Sequence, residues 1–410
     1  MQHSNNRGRG SGRNNYSQNR NNNRRFSPSN GRRRAGGGRR QATFDPSHVI
    51  IQAGLKKAEV VTKKYQITHQ FSDFDISDQL KRNIADHGYV IPTPIQDQVI
   101  PHIINGRDVV GIANTGTGKT AAFLIPLINK IIKNDHEKVL IITPTRELAI
   151  QARDELRSFS NNLRILSTVC IGGSSINRQI DSLSKRPHFV IGTPGRIKDL
   201  NQRKKLKFEQ FSNIVLDEVD RMLDMGFVHE IRAIINHLPK NRQSLFFSAT
   251  MTDRVREIMK GFLKNPISIS VKTQDMIANV SQEIVKIKGR SKINVLDDLL
   301  RTKDFNKVLV FGRTKRGAEN LSKKLQHRGF RVNAIHGNKS QGQRQRALKE
   351  FKTNKLQALI ATDVISRGLD IDNVTHVINY DLPESYECYI HRIGRTGRAD
   401  RVGTALTFIE

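Results

Sequence analysis

From about residue 70 to its end the chain alternates short apolar runs with longer stretches in which apolar side chains recur every three or four positions. Five of the runs are near-continuous in Val, Ile, Leu and Phe: 108–113 (DVVGIA), 139–145 (VLIITPT), 188–194 (HFVIGTP), 213–219 (NIVLDEV) and 244–250 (SLFFSAT). Such runs predict strands buried on both faces. The amphipathic stretches between them predict helices crossing back over the sheet, so the strands should be parallel. A second series, 307–313, 331–337, 358–362, 376–381 and 405–409, repeats the texture. The polar stretch 271–282 (VKTQDMIANVSQ) lies between the two series and is expected to be a hinge. The predicted class is therefore α/β, with tandem parallel-sheet domains at 71–270 and 283–410, a lead-in at 46–70 and a distinct segment at 1–45.

That first segment changes the picture. Its first forty residues hold eleven Arg, no Lys and no acid, and its clearly apolar side chains are Met1, Tyr16, Phe26 and Ala35. With so little to bury it is expected to be a disordered basic tail. Its RGRGSGR and GRRRAGGGRR runs resemble the arginine-glycine tails of RNA-binding proteins, where guanidinium groups meet phosphates and stack on bases. A transit peptide would need an amphipathic apolar face that is missing here. Over the whole chain 69 Lys and Arg face 38 Asp and Glu, a net charge of +31. Nucleic acid is the first partner to expect, with a merely solubilising surface as the competing reading. The apolar runs are too short to cross a bilayer, no apolar leader opens the sequence, and the two cysteines, Cys170 and Cys388, lie in unrelated contexts. A soluble protein of a reducing, cytoplasmic compartment is expected, without disulfides.

Candidate chemistry begins at GIANTGTGKTAAF, residues 111–123. A phosphate loop is usually G-x-x-x-x-G-K-[ST], whereas Ala113 holds the first position here. The context still fits: a buried strand, a turn through Thr115, Gly116, Thr117 and Gly118, then a helix with one apolar face. In that order backbone N–H groups and the positive helix end converge on an anion. Lys119 would reach the terminal phosphates and the Thr120 hydroxyl would ligate Mg²⁺. A plain strand-to-helix turn remains the alternative. In IVLDEVD, Asp217 and Glu218 end another apolar run, where parallel strands collect ligands. Asp217 would hold the metal shell and Glu218 would orient or deprotonate an attacking water. Taken alone, an Asp-Glu pair after a strand is also a common surface loop.

Ten motifs stand in one order: GYVIPTPIQ (88–96), ANTGTGKT (113–120), PTRELAIQ (144–151), GG (172–173), TPGR (193–196), DEVD (217–220), SAT (248–250), VLVFGRTKRGAENL (308–321), ATDVISRGLDI (361–371) and HRIGRTGR (391–398). On these the chain resembles the DEAD-box RNA helicases from about Phe71 to its end, with the minimal-core bacterial branch closest in feel. The resemblance implies two RecA-like domains joined by a short hinge, and ATP with Mg²⁺ as the nucleotide. The family's loop pattern, A-x-x-G-x-G-K-T, accounts for Ala113. Val219 stands where the family name has Ala, and Asn114 where Gln is common; neither removes a catalytic group.

Carried over position by position, the resemblance implies that Gln96 reads the adenine edge and Phe71 stacks on the base, with Phe74 the rival, while Asp370 contacts the ribose. Arg395 and Arg398 match the arginine fingers that meet charge on the transferred phosphoryl group. Ser248, Thr250 and His391 would relay between nucleotide and RNA. The RNA contacts implied are Thr145, Arg146, Gly172, Gly173, Thr193, Gly195 and Arg196 in the first domain, and Arg313, Gln341, Arg344 and Thr362 in the second. Hydroxyls, glycine amides and arginines suit a sugar–phosphate track, so RNA binding should be largely sequence-independent and salt-sensitive.

The function expected is that of a monomeric, ATP-dependent RNA helicase that opens short duplexes or remodels RNA–protein complexes. An ATP-regulated RNA clamp serving as an assembly platform is the alternative. A DNA-translocating helicase is a third reading, against which Gln96, DEVD and SAT argue together.

Overall fold

The computed structural model describes residues 65–114, 116–271, 279–363, 371, 374–397 and 402–410. The expected tail, most of the lead-in, Thr115, Asp370 and Arg398 lie outside the described residues.

The first sheet has seven strands: β1 (Val109–Ala113), β2 (Val139–Ile142), β3 (Ser167–Cys170), β4 (Phe189–Gly192), β5 (Asn213–Leu216), β6 (Gln243–Ser248) and β7 (Ile267–Val271). Their order across the sheet is β3-β4-β2-β5-β6-β1-β7, and every pairing is parallel. The second sheet has six: β8 (Val280–Lys286), β9 (Val308–Phe311), β10 (Val332–Ile335), β11 (Ala358–Ala361), β12 (His376–Asn379) and β13 (Gly403–Ile409), in the order β10-β11-β9-β12-β13-β8, again all parallel. The two tandem parallel-sheet domains expected from the sequence are present.

Strand periodicity builds each lobe. Val109, Ile141, Val215, Phe247 and their same-parity neighbours enter one apolar cluster, while Val110, Leu140, Leu216 and Phe246 enter another on the opposite face. Each central strand therefore buries both faces under helices, which is why the runs read as continuously apolar. The second sheet divides likewise, Leu309 and Phe311 to one side and Val308 and Val310 to the other. Val219 is fully buried in the second cluster, so the side chain larger than Ala is accommodated.

Three strands escaped the sequence reading: β3 (STVC), β7 (ISISV) and β8 (VSQEIVK). All three are edge strands with alternating buried and more exposed positions, so they lack the unbroken apolar run that marked the others. β7 and β8 also enter the 271–282 stretch from both ends, at Val271 and Val280.

Candidate functional site

Parallel strands put their carboxyl ends on one edge of a sheet, and the candidate residues gather there. β1 ends at Ala113, 2% exposed, and the loop after it turns through Gly116 (φ 85°) and Gly118 (φ 91°) into helix α1 (Lys119–Lys133). Gly118 is required twice over: its φ is left-handed, and a Cβ there would sit 2.5 Å from Gln96 Nε2. Thr117 Oγ1 donates to the Asn114 carbonyl at 2.8 Å, closing the turn. Lys119 is buried, and its Nζ donates to the Ala113 carbonyl at 2.7 Å.

Asp217 follows β5, and its Oδ1 accepts the Glu218 N–H at 2.9 Å. Glu218 has φ 52° and ψ 53°, a left-handed conformation that costs a non-glycine residue about 1–3 kcal/mol. It begins the short helix Val219–Asp224, whose Arg221 reaches back to the Glu218 carboxylate at 2.7 Å, both side chains buried. Burial, reinforced by the Glu218 carboxylate, pushes Asp217 well above the usual range although Lys119 opposes it. Burial acts on Glu218 too, but Arg221 and then Lys119 outweigh it and hold that carboxylate low; Arg395 from the second lobe adds to the same effect. The two neighbouring carboxylates are thus shifted in opposite directions, Asp217 up and Glu218 down.

Asp220 joins this strand end to the next. Its Oδ2 accepts the N–H groups of Ala249 (3.1 Å) and Thr250 (2.8 Å) and the Thr250 hydroxyl (3.1 Å), while Ser248 Oγ donates to the Thr250 carbonyl at 2.8 Å. Thr250 is therefore held by the Asp220 carboxylate, and Ser248 by the Asp220 backbone N–H, which donates to its Oγ at 3.3 Å. The sequence reading gave Asp220 no role.

Gln96 is fully buried. Its Oε1 accepts the Thr93 N–H at 2.8 Å and its Nε2 donates to the Gly118 carbonyl at 3.1 Å, so the amide braces the loop. Phe71 and Phe74 are both buried, and Phe71 packs edge-on against Phe74 (centroids 5.9 Å apart) and Tyr89 (6.0 Å). Both rings belong to the core cluster around α1. Next to Gln96, Asp97 anchors residues 65–69, accepting from the Tyr65 hydroxyl (2.8 Å) and the N–H groups of Thr68 (2.9 Å) and His69 (3.1 Å).

Along the same edge lie the residues implied for RNA. Thr145 caps helix α2 (Arg146–Phe159) by accepting the Leu148 N–H, and Arg146 lies over Gly172 and Gly173, where an added Cβ would meet its guanidinium. Thr193 precedes the helix Pro194–Gln202; within it Gly195 has open space, and Arg196 reaches the Ser174 carbonyl at 3.4 Å. On the second lobe Arg313 has an exposed side chain and a backbone N–H held by Asp381 at 2.8 Å, while Thr362 is buried.

Gln341 and Arg344 behave differently from the expectation of an open RNA track. They sit on helix α3 (Gln341–Lys352), 6% and 5% exposed, and both reach Glu147 of the first lobe: Gln341 Nε2 at 3.1 Å and an Arg344 guanidinium nitrogen at 2.5 Å. The physical reason is burial, since a guanidinium removed from water needs a carboxylate. Their polar ends serve the junction between lobes.

Arg395 is also buried, 3% exposed, with Nε donating to the His391 carbonyl at 3.3 Å. Its neighbour Arg392, to which no role was assigned, is held on several sides. It pairs with both carboxylate oxygens of Asp363 (2.6 and 2.7 Å), donates to Asn379 (3.1 Å) and the Asp381 carbonyl (2.6 Å), and lies over the Phe311 ring. It fixes the helix Tyr386–Ile393 from which His391 and Arg395 emerge.

Between the lobes a cavity of about 910 Å³ is lined by Gly116, Gly118, Lys119, Thr120, Asp217 and Glu218 on one side and by α3 residues from Gln341 to Lys352 on the other. That is within the range of sites that hold ligands of nucleotide size. The arrangement offers loop amides and an ammonium for phosphates, hydroxyl and carboxylate oxygens for a hard cation, and a carboxylate for a water.

Comparison with known proteins identifies the family. The DEAD/DEAH box helicase family model matches residues 93–258, and the helicase conserved C-terminal domain model matches residues 291–400. The chain is 46% identical over 343 residues to the ATP-dependent RNA helicase CshA of Listeria monocytogenes, covering 83% of this chain and 66% of that protein, so it spans just under two thirds of that relative. Against the DEAD-box ATP-dependent RNA helicase CshA of Geobacillus kaustophilus the identity is 44%, over 83% of this chain and 73% of the relative. Among solved structures, a variant of Dbp5 from S. cerevisiae bound to RNA and ADP BeF3 superposes with a TM-score of 0.74 at 31% identity, covering 84% of this chain and 90% of that one. A variant of the same yeast protein bound to nup159, a gle1 variant, ip6 and adp gives 0.57 at 30% identity, covering 82% and 89%.

Proposed function

The chain belongs to the DEAD/DEAH box helicase family, and on that premise we propose that it is an ATP-dependent RNA helicase whose two lobes form one catalytic site when RNA holds them together. The observation that carries the proposal is the cleft itself, where Lys119, Asp217 and Glu218 of one lobe face helix α3 of the second, from Gln341 to Lys352. In this reading residues 71–270 and 283–410 are the two working lobes, and the protein acts as a cytoplasmic monomer.

The loop amides from Gly116 to Lys119 and the Lys119 ammonium would bind the β- and γ-phosphates of ATP, with Gln96 and Phe71 at the base and Asp370 at the ribose. Thr120 and Asp217 suit Mg²⁺: both offer hard oxygen donors to the cavity, and burial raises the pKa of Asp217, which a cation beside it would offset. Among the described residues no group of three His, Cys, Asp or Glu could hold a metal alone, so phosphate oxygens and water would complete the shell. When bound, the ion would neutralise charge on the phosphates. Glu218, held ionised, would accept a hydrogen bond from the attacking water and aim it in line with the γ-phosphorus. Arg395 and Arg398 would meet the charge that develops there, an effect of about 10³–10⁵ in rate where measured in phosphoryl-transfer enzymes. Because the fingers belong to the other lobe, hydrolysis would wait for closure. Thr145, Arg146, the Gly172–Gly173 pair, Thr193, Gly195 and Arg196, with Arg313 and Thr362 opposite, would track the RNA backbone. Ser248, Thr250 and His391 would link that track to the nucleotide.

The test is strand release from a duplex of about ten base pairs with ATP, with no nucleotide and with ADP. Release that depends on ATP and weakens steeply as the duplex lengthens supports the proposal; release indifferent to nucleotide contradicts it.

A further inference from the structure

The parallel first sheet also has an amino-terminal edge, opposite the one that carries Lys119 and Asp217. Helix α1, fifteen residues long, runs from one edge to the other, which separates them by about 22 Å. On the far edge the loops entering β3, β4, β2 and β5, four neighbouring strands, are knitted together. The His188 N–H donates to the Leu166 carbonyl (3.0 Å), the Val139 N–H to the His188 carbonyl (2.8 Å) and the Asn213 N–H to the Lys138 carbonyl (3.1 Å).

These loops present Arg164, Lys185, Arg186, Lys204, Lys205 and Lys207, all exposed, and among the described residues none of the six has an acidic partner. Two nearby acids are already engaged: Asp135 holds His188 at 2.9 Å, and Glu137 accepts from Asn213 at 2.7 Å and from Ser212. Glu209 is the exposed acid in the loop entering β5. Some cations elsewhere on the surface are paired, as in Arg153 with Asp154, Arg232 with Glu257, and Arg301 and Arg328 sharing Asp297, while others such as Arg254, Lys323 and Lys324 are exposed without an acidic partner; these loops differ in gathering six such cations at one edge of the sheet. In the same loops Lys138, whose ammonium donates to Gln210 at 3.4 Å, has its pKa pushed down, first by burial and then by Arg186. Lysine is depleted from the cores of protein interfaces, and the large apolar groups exposed near these loops among the described residues are Leu166 and Ile132. Unpaired cations without an apolar centre fit a phosphate backbone better than a protein surface.

We propose that this edge of the first lobe is a second RNA-phosphate surface, separate from the track at the cleft, that holds a duplex arm flanking the strand on which the lobes close. An A-form arm of ten base pairs, about 28 Å long, exceeds the roughly 22 Å between the edges. The inference rests on the RNA reading above for its choice of polyanion.

The experiment compares the full chain with its Lys185→Gln/Arg186→Gln/Lys204→Gln/Lys205→Gln variant. It uses a short single strand and the same strand carrying a ten-base-pair arm. Stimulation of ATP hydrolysis by the short strand should be the same in both proteins. Affinity for the arm-bearing RNA should fall, with a salt slope shallower by about 3 to 4, so that the parent loses roughly 100-fold more affinity than the variant between 50 and 200 mM salt. In the unmutated protein, Lys204 and Lys205 should be protected from acetylation by the arm-bearing RNA and not by the short strand. An unchanged slope, absence of protection, or equal protection by polyglutamate would overturn the proposal. A chain whose ATP turnover ignored every RNA would instead defeat the preceding reading, while the protection pattern would still judge this one.

Discussion

Arg344 of the second lobe places a guanidinium nitrogen 2.5 Å from the Glu147 carboxylate of the first, with both side chains buried and 197 positions between them. Burial disfavours the charged guanidinium and lowers its pKa; Glu147 offsets this in part, while Arg146 adds to it. Removing one partner strands the other, at about 3–5 kcal/mol. Glu147→Gln should therefore cut RNA-stimulated ATP turnover by at least about tenfold while leaving ATP affinity nearly unchanged. The Glu147→Gln/Arg344→Met pair should lose less than the sum of the single losses. A double-mutant cycle on RNA-stimulated hydrolysis checks this, and strictly additive losses would contradict the pairing.

Glu218→Gln keeps the size of the side chain and its reach to Arg221 but removes the charge that aims the water. Turnover should fall by about 10²-fold or more, as for loss of a positioned acid–base group, while ATP and RNA remain bound in a long-lived complex. Phosphate release combined with RNA retention measures both. Parent-like turnover would remove Glu218 from the mechanism.

Lys119 is buried with its ammonium on the Ala113 carbonyl, pre-set beside the loop that would receive phosphates. Lys119→Ala should weaken ATP binding by at least about tenfold, the loss of a charge-assisted contact worth about 1.5–3 kcal/mol. Titration with a fluorescent ATP analogue reads it, and unchanged affinity would argue for a structural lysine.

Asp97 offers a pH test. Burial raises its pKa, but hydrogen bonds from Thr68, His69 and Tyr65 outweigh that and leave it below the ordinary value. A carboxylate depressed in the folded state adds stability above its unfolded pKa of about 3.9, and that stability is lost as pH falls through the folded value. Asp97→Asn should cost about 1.5–3 kcal/mol at pH 7. Thermal melts should show the gap to the parent narrowing as pH drops below about 4. A gap independent of pH would assign the loss to packing.

Removing residues 1–40, with their eleven arginines, should weaken RNA affinity and flatten its salt dependence without changing ATP affinity. Binding isotherms at several salt concentrations check this; an unchanged slope would make the segment a spacer.

Much of this was legible in the sequence because it is local. Buried central strands such as VLII and NIVL announce themselves by unbroken apolar runs, and the phosphate loop by its glycine spacing. The edge strands β3, β7 and β8 were hidden because half-exposed alternation is shared with many loops and helices. Pairings were hidden for a different reason. Nothing near Glu147 names Arg344 as its partner, and HRIGRTGR does not distinguish Arg392, locked onto Asp363, from Arg395. Asp220 and Arg221 stood beside the assigned Asp217 and Glu218, yet their contacts to Thr250 and Glu218 depend on how the short helix after β5 turns.

The most direct measurement of the central claim is the ATP turnover rate of the full chain alone, with single-stranded RNA, and with DNA of the same sequence. Catalytic groups divided between two lobes that RNA brings together require a rate that is low alone, rises at least about tenfold with RNA, and responds little to DNA. Equal turnover with and without RNA would contradict the account.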